Sequence, residues 1–165
     1  MRNTGKKEIN MRRNDREISD KAEIELFISA EKIIRIGFCD SGEIYIVPVN
    51  YGYSVDNEKY TFYFHGAAAG RKYELAQECP SVGFEIDGRY ELISADTGCG
   101  HSAKFCSVIG TGALSLIEGA DEKKSALGYI MKQSTGRNEW EYDEKVLERT
   151  AVFKLEVKTM SCKAK

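Results

Sequence analysis

The stretch Y-T-F-Y-F-H-G-A-A-A-G-R-K, residues 60–72, decides how this chain is read. Aromatic residues recur with period two from Tyr60 to Phe64, which marks a strand. The strand runs into His65, then two glycines around three alanines, then the basic pair Arg71 and Lys72. Strand, small-residue turn and helix start form an order suited to an anion. Amides at a helix N-terminus are unpaired, glycines let a ligand reach the main chain, and basic side chains add charge. The same residues also fit a plain turn followed by solvated surface charges. The spacing is neither a phosphate-binding loop of the G-x-x-x-x-G-K-[ST] kind nor a dinucleotide fingerprint.

Working outward toward the N-terminus, the turn D-N-E-K at 56–59 precedes this strand, and E-I-Y-I-V-P-V-N-Y-G-Y at 43–53 reads as another. Pro48 cannot donate to a ladder, so that strand belongs at an edge or is interrupted there, with backbone of Val47, Val49 and Asn50 open to a ligand or simply at an edge. I-I-R-I-G-F-C at 33–39 pairs with it through the turn D-S-G. Asp20 is placed to cap a helix reaching about Lys32, with Ile24, Phe27 and Ile28 at helical spacing. Residues 1–10 are polar and are expected to be a disordered segment, with residues 11–165 forming a single domain.

Toward the C-terminus, Tyr73, Leu75 and Ala76 continue a short helix that Pro80 stops. Residues 81–94 form a strand or hairpin with D-G as a possible turn, and residues 95–104 form a loop. F-C-S-V-I-G-T-G-A-L-S-L-I-E, 105–118, is a strand in which Gly110 and Gly112 point to a bulge or a close backbone contact. A helix follows over 121–134 with Asp121 as its cap, then a polar segment holding Trp140. The last strand, T-A-V-F-K-L-E-V-K, sets Val152, Lys154, Glu156 and Lys158 on one face and Ala151, Phe153, Leu155 and Val157 on the other. The elements predict a mainly β protein with peripheral helices: a six-stranded antiparallel barrel, closed or partly closed.

Composition narrows the function classes. In 165 residues, 24 basic against 26 acidic side chains leave a net charge of −2, which gives nucleic-acid binding no electrostatic support. No apolar run is long enough to span a bilayer and no hydrophobic signal core opens the chain, so the expected location is cytoplasmic, with no membrane partner. Five cysteines without C-x-x-C spacing argue against both a disulfide scaffold and a structural zinc site. Cys39 and Cys106 read as buried small hydrophobes, and Cys99 beside His101 reads as non-catalytic.

Four segments together, I-V-P-V-N-Y-G-Y, Y-T-F-Y-F-H-G-A-A-A-G-R-K, A-K-F-C-S-V-I-G-T-G and V-F-K-L-E-V-K-T-M-S-C-K, resemble in order the pyridoxamine 5'-phosphate oxidase-like split barrels that bind flavin mononucleotide (FMN). Within that superfamily the chain is most similar to the Nim-type nitroimidazole resistance proteins. The resemblance implies a six-stranded split barrel that forms a homodimer, with FMN held between subunits. It implies that Val47, Pro48, Val49 and Asn50 face the isoalloxazine through their backbone, that His65, Gly66, Ala67, Gly70, Arg71 and Lys72 form a wall and phosphate cradle, and that Lys104, Ser107 and Val108 complete the site, in one version from the other subunit. It further implies an oxidoreductase in which FMN takes electrons from NAD(P)H and reduces a small acceptor such as a nitroaromatic. The alternative is a non-catalytic flavin- or haem-binding module of the same fold.

His65 is the candidate catalytic residue, able to hydrogen-bond phosphate or substrate or to donate a proton near neutral pH. It also fits a solvent-facing strand end. Tyr51 and Tyr53 read as filling a subunit interface, and Trp140 as a buried loop anchor. The family's closing M-T-G-K is M-S-C-K here, so Cys162 stands where relatives have glycine. No residues that would read pyridoxamine phosphate itself are evident.

Overall fold

The structure is a computed structural model and describes residues 13–165. The segment 1–10 expected to be disordered lies outside the described residues. Asp20 caps helix α1 (Lys21–Ala30), its Oδ1 accepting from the amides of Ala22 at 2.8 Å and Glu23 at 3.3 Å. The helix buries Phe27 and Ile28. A short strand β1 (Glu17–Ile18) precedes it.

Strands β2 (Ile33–Asp40) and β3 (Glu43–Asn50) form a hairpin whose two turn residues, Ser41 and Gly42, both have positive φ, at 52° and 93°. Strands β4 (Gly52–Asp56) and β5 (Lys59–Ala67) form a second, with Asn57 and Glu58 at φ 46° and 66°. Positive φ at both central residues matches the right-handed strand twist, so these turns fix register as well as direction. Helix α2 (Arg71–Glu78) follows β5 and stops before Pro80. Strands β6 (Ser81–Ile93) and β7 (Ser102–Leu116) lead to helix α3 (Ala120–Thr135), helix α4 (Glu144–Arg149) and the long strand β8 (Thr150–Ala164).

All pairings are antiparallel and the sheet runs β3-β2-β6-β7-β8-β5-β4, with β1 added to β8. Its two end strands, β3 and β4, are separated in sequence by Tyr51 alone. One residue cannot bridge a flat seven-strand sheet, whose width is about 29 Å at about 4.8 Å per strand step. The sheet must therefore curl until its ends meet, and the barrel is closed across that seam by covalent chain. Tyr51 is fully buried there and its hydroxyl donates to the Ile28 carbonyl at 2.6 Å. This corrects the interface expected for Tyr51: it belongs to the core.

The strand number is eight rather than six, for two reasons. The run 43–53 breaks at Tyr51 into β3 and β4, and Glu17–Ile18 pairs with Lys163 and Cys162. Asp87–Gly88 is no turn; β6 continues through a bulge between Gly88 and Glu91, with Arg89 at φ 55°. The bulge expected near Gly110 and Gly112 is present between Thr111 and Gly112. A Cβ at Gly110 would lie 2.2 Å from the Thr159 carbonyl oxygen and one at Gly112 2.5 Å from that of Glu156, so β7 and β8 approach too closely for any side chain at either position.

Two apolar clusters hold the fold. The barrel interior contains Phe62, Phe64, Phe84, Phe153 and Leu155, with Phe64 stacked on Phe153 at 4.8 Å between centroids. A smaller cluster, Ile117, Ala126, Leu127, Ile130, Leu147 and Val152, lies outside the barrel beneath α3 and α4. Val152 does share the outward face with Lys154, but the helices cover it, so both faces of β8 are apolar at its start.

Candidate functional site

β5 carries candidate residues out of the core. Its alternation sets Tyr60, Phe62 and Phe64 inward and Thr61, Tyr63 and His65 outward. Gly66, next in line for the interior, has no side chain, and Lys72 occupies that space: a Cβ on Gly66 would lie 2.6 Å from Nζ and 3.0 Å from Cε. The Lys72 amine sits 5.3 Å from the Phe153 ring centroid and 5.8 Å from that of Phe64, and donates to the His65 carbonyl at 3.3 Å. Burial lowers its pKa below the usual lysine value. Among the described residues no carboxylate pairs with it.

Gly70 precedes α2 at φ 91°, a conformation that only glycine takes without strain, and no side chain caps the first amides of the helix. Lys72, seated against Gly66, and these amides therefore lie together at one end of β5, with open space beside Gly70. Arg71 behaves differently from its neighbour. Its Nε and Nη2 donate to Asp40 Oδ2 at 2.9 and 2.7 Å, and its guanidinium lies 4.6 Å from the Tyr45 ring centroid. Of the basic pair, one cation is already neutralised and one is not.

The His65 ring is on the other face of the strand. With Gly66 and Ala67 it lines a cavity of about 440 Å³ whose remaining wall comes from α3, α4 and the segment before α4: Leu127, Ile130, Met131, Tyr142, Val146 and Leu147, with Asp143, Arg149 and Thr150. Burial, and secondarily the Lys72 charge, lower the His65 pKa below its ordinary 6.5, so the imidazole is neutral at pH 7.

The other candidates are arranged elsewhere. Val47 and Val49 pack on the barrel core, whereas Pro48 and Asn50 face outward, Asn50 donating to the Lys32 carbonyl at 3.1 Å. β3 is an edge strand, as Pro48 requires. An edge proline turns its missing donor away from the ladder, so Val47 and Val49 spend their backbone groups on β2 and the free groups fall on Ile46, Asn50 and the Pro48 carbonyl. Val108 is fully buried in the core. Ser107 faces outward opposite Asp87, beside the Arg35–Glu85 pair at 3.0 Å and the Arg35–Asp87 pair. Lys104 is exposed and bound to both Glu91 oxygens at 3.0 and 3.1 Å.

Register measures how far apart these groups are. His65 is opposite Val152 on β8 and Ser107 is opposite Lys163 on the same strand. The eleven residues between (163 − 152) correspond to about 36 Å of strand contour. Lys104 and Ser107 thus do not join the His65–Lys72 end within one subunit.

The pyridoxamine 5'-phosphate oxidase family model matches residues 20–164, from the α1 cap to the last residue of β8. The chain belongs to the pyridoxamine 5'-phosphate oxidase family. Among solved members of this fold, a candidate 5-nitroimidazole antibiotic resistance protein from Bacteroides thetaiotaomicron is 30% identical, with a TM-score of 0.78 over 90% of this chain and 86% of that one. The flavocytochrome Anf3 of Azotobacter vinelandii is 21% identical, with a TM-score of 0.77 over 94% and 72% of the two chains. An FAD- and haem-binding protein of Mycobacterium smegmatis is 14% identical, with a TM-score of 0.78 over 90% and 73%. A search of curated proteins gave no significant match. These likenesses establish the mainly antiparallel β split-barrel fold with peripheral helices, and no helix among the described residues is long and apolar enough to cross a membrane.

Several other readings of single residues need correction. Cys39 is exposed, because it lies on the outward face of β2, while Cys106 is buried as expected. Cys162, where relatives have glycine, lies within β8, which continues to Ala164, and its thiol fills the barrel interior 3.9 Å from the Cys106 sulfur. Trp140 is partly exposed, its indole nitrogen donating to the Arg137 carbonyl at 3.2 Å. Sequence reasoning missed Tyr142 and α4, which wall the His65 cavity. The one available signal was Asp143, which caps α4 by accepting from the Val146 amide at 3.1 Å.

Proposed function

We propose that this protein is an FMN-dependent oxidoreductase that acts on a small acceptor such as a nitroaromatic, with NAD(P)H as electron donor and a homodimer as the working unit. The observation that carries this reading is Lys72: a half-buried amine without a carboxylate partner among the described residues, seated against Gly66 near the helix amides that follow Gly70, which no side chain caps. Such a cation costs free energy to desolvate and gains a charge-assisted hydrogen bond when a phosphate dianion arrives. The cradle suits a flavin phosphate in sign, and Gly70, with nothing within 4 Å of a Cβ there, leaves the main chain open to it. By contrast, a phosphate at Ser107 would meet Asp87 across the strand pair. Bound FMN would supply the electron chemistry. His65 would present a neutral imidazole at the neighbouring cavity, able to hold or pass a proton to a substrate there.

A dimer is supported by the outward face of β2, β3, β6 and β7. Ile44 and Ile46 are 70% and 60% exposed, and Ile33 and Ile109 share that face. Gly37 and Gly83, adjacent across β2 and β6, leave a shallow trough between them. Apolar surface of this kind on a sheet favours burial against another sheet. It is also the face that carries Pro48 and Ser107, so a second copy docked there would bring its own candidate residues toward the first. Spectral titration with FMN tests the cofactor: a purified chain that is colourless and neither quenches nor shifts added FMN refutes it. The His65 imidazole, which has no side-chain hydrogen bond among the described residues, favours one further reading, a flavin- or haem-holding module without turnover, which the same titration with hemin separates by its Soret band.

A further inference from the structure

The cavity beside His65 has a wall with an unexplained cost built into it. Tyr142 packs against the outer apolar cluster, and its hydroxyl is the one buried side-chain oxygen or nitrogen among the described residues that lacks a hydrogen-bond partner. Buried hydroxyls are almost always paired, because stripping water from one without replacing it is unfavourable. Burial also raises the phenol pKa, so Tyr142 remains a neutral donor across the physiological range. Beside it Leu127, Ile130, Met131, Val146 and Leu147 are apolar, one Asp143 oxygen is engaged as the α4 cap, and none of the other polar groups of the lining, His65 and Thr150 among them, is in hydrogen-bonding reach of the hydroxyl.

We propose that this cavity, between β5, α3 and α4, is a binding site for a flat apolar small molecule that carries an oxygen acceptor, a nitro, carbonyl or carboxylate group, which takes the Tyr142 hydroxyl. The volume of about 440 Å³ suits a single- or double-ring compound. Its two polar ends are distinct: His65 on the strand side and Tyr142 on the helix side. The apolar residues between them select a planar hydrocarbon body. Tyr142 borders the chamber while its hydroxyl is covered, so binding of this kind requires its ring to turn the hydroxyl toward the ligand. The protein bears the orphaned donor when empty and recovers a hydrogen bond when loaded, which makes the site selective for ligands with an acceptor over hydrocarbons of the same shape. The proposal rests on the flavin reading for the ligand's role as electron acceptor, but not for its binding.

The test uses nitrobenzene, acetophenone and benzoate against toluene as probes, with dissociation constants from ligand-observed NMR on the full chain as purified. The expected result is that the three oxygen-bearing probes bind about tenfold more tightly than toluene, and that Tyr142→Phe removes the difference. Tyr142→Phe also raises the melting temperature of the unliganded protein by a few degrees, because the unpaired hydroxyl is gone. Val146→Trp, a change at an exposed helix position on the cavity rim, weakens all four probes. Equal binding of toluene, a preference that survives Tyr142→Phe, or probe binding untouched by Val146→Trp overturns the proposal. FMN affinity is measured separately on the same samples: its absence refutes the cofactor reading alone, and failure of the probe pattern refutes this site alone.

Discussion

Lys72 and Arg71 are neighbours in sequence and opposites in circumstance, and that difference can be measured. Lys72→Ala removes the unpaired cation and should weaken FMN binding about 10- to 100-fold, the range for a charge-assisted hydrogen bond. Arg71→Ala breaks the exposed Asp40 pair and should change FMN affinity by less than about threefold and stability by at most about 1 kcal/mol. Fluorescence-quenching titrations of both variants decide it; equal losses would show that the phosphate lies elsewhere. His65 gives a second handle. Its pKa is lowered in the folded state, so the unfolded chain binds the proton more readily as pH falls through 6.5. Stability contributed by the neutral imidazole is therefore present above pH 6.5 and lost below it, down toward the lowered native value. Imidazole NMR should report a midpoint below 6.5 that moves up in Lys72→Met, and His65→Gln should flatten the acid limb of the stability curve. The sequence made these residues legible as candidates, since a histidine, two glycines and a basic pair after a strand are a local pattern. It could not reveal that Asp40, thirty-one positions away (71 − 40), claims Arg71, because that pairing exists only once β2 and α2 are folded together.

Elements with strong periodicity were readable and those set by tertiary contact were not. The aromatic alternation of β5, the cap and spacing of α1, and the paired glycines of β7 all stand as the sequence implies. Helix α4 was invisible because six residues with two apolar positions show no period. Asp121, expected to cap α3, instead sits inside its first turn behind Gly119, where its charge suits the helix dipole. Glycines separate packing from propensity most clearly. At Gly52 a Cβ would lie 2.2 Å from the Tyr129 carbonyl carbon and 2.3 Å from the Ile130 amide, both main-chain atoms of α3 that cannot step aside. Gly52→Ala should cost about 2–5 kcal/mol in denaturant unfolding by forcing α3 off β4 and disrupting the His65 cavity with it. Gly128 on the same helix has nothing within 4 Å, so Gly128→Ala should stabilise by up to about 1 kcal/mol. Identical responses from the two would mean that α3 does not press on β4 as described.

At the scale of the molecule, the candidate residues fall into distant groups, and only a second subunit could unite them. Ile46→Glu places a charge on the most apolar outward strand without touching the core. Light scattering should then find a monomer that retains its melting temperature within a few degrees but has lost most of its FMN affinity; a monomer that binds FMN as tightly as the parent would confine the site to one chain. The barrel class was legible from hairpin-linked strands. The seam at Tyr51 was not, because a strand that changes partner keeps its alternation and betrays the change only in three dimensions. That seam has a dynamic corollary. β3 and β4 are the far ends of the hydrogen-bonded ladder, yet a single buried tyrosine pins both. Fraying at one edge must pull Tyr51 from the core and so release the other. Amide hydrogens of the two strands should exchange with solvent at a common rate, as one breathing unit, despite lying at opposite ends of the sheet.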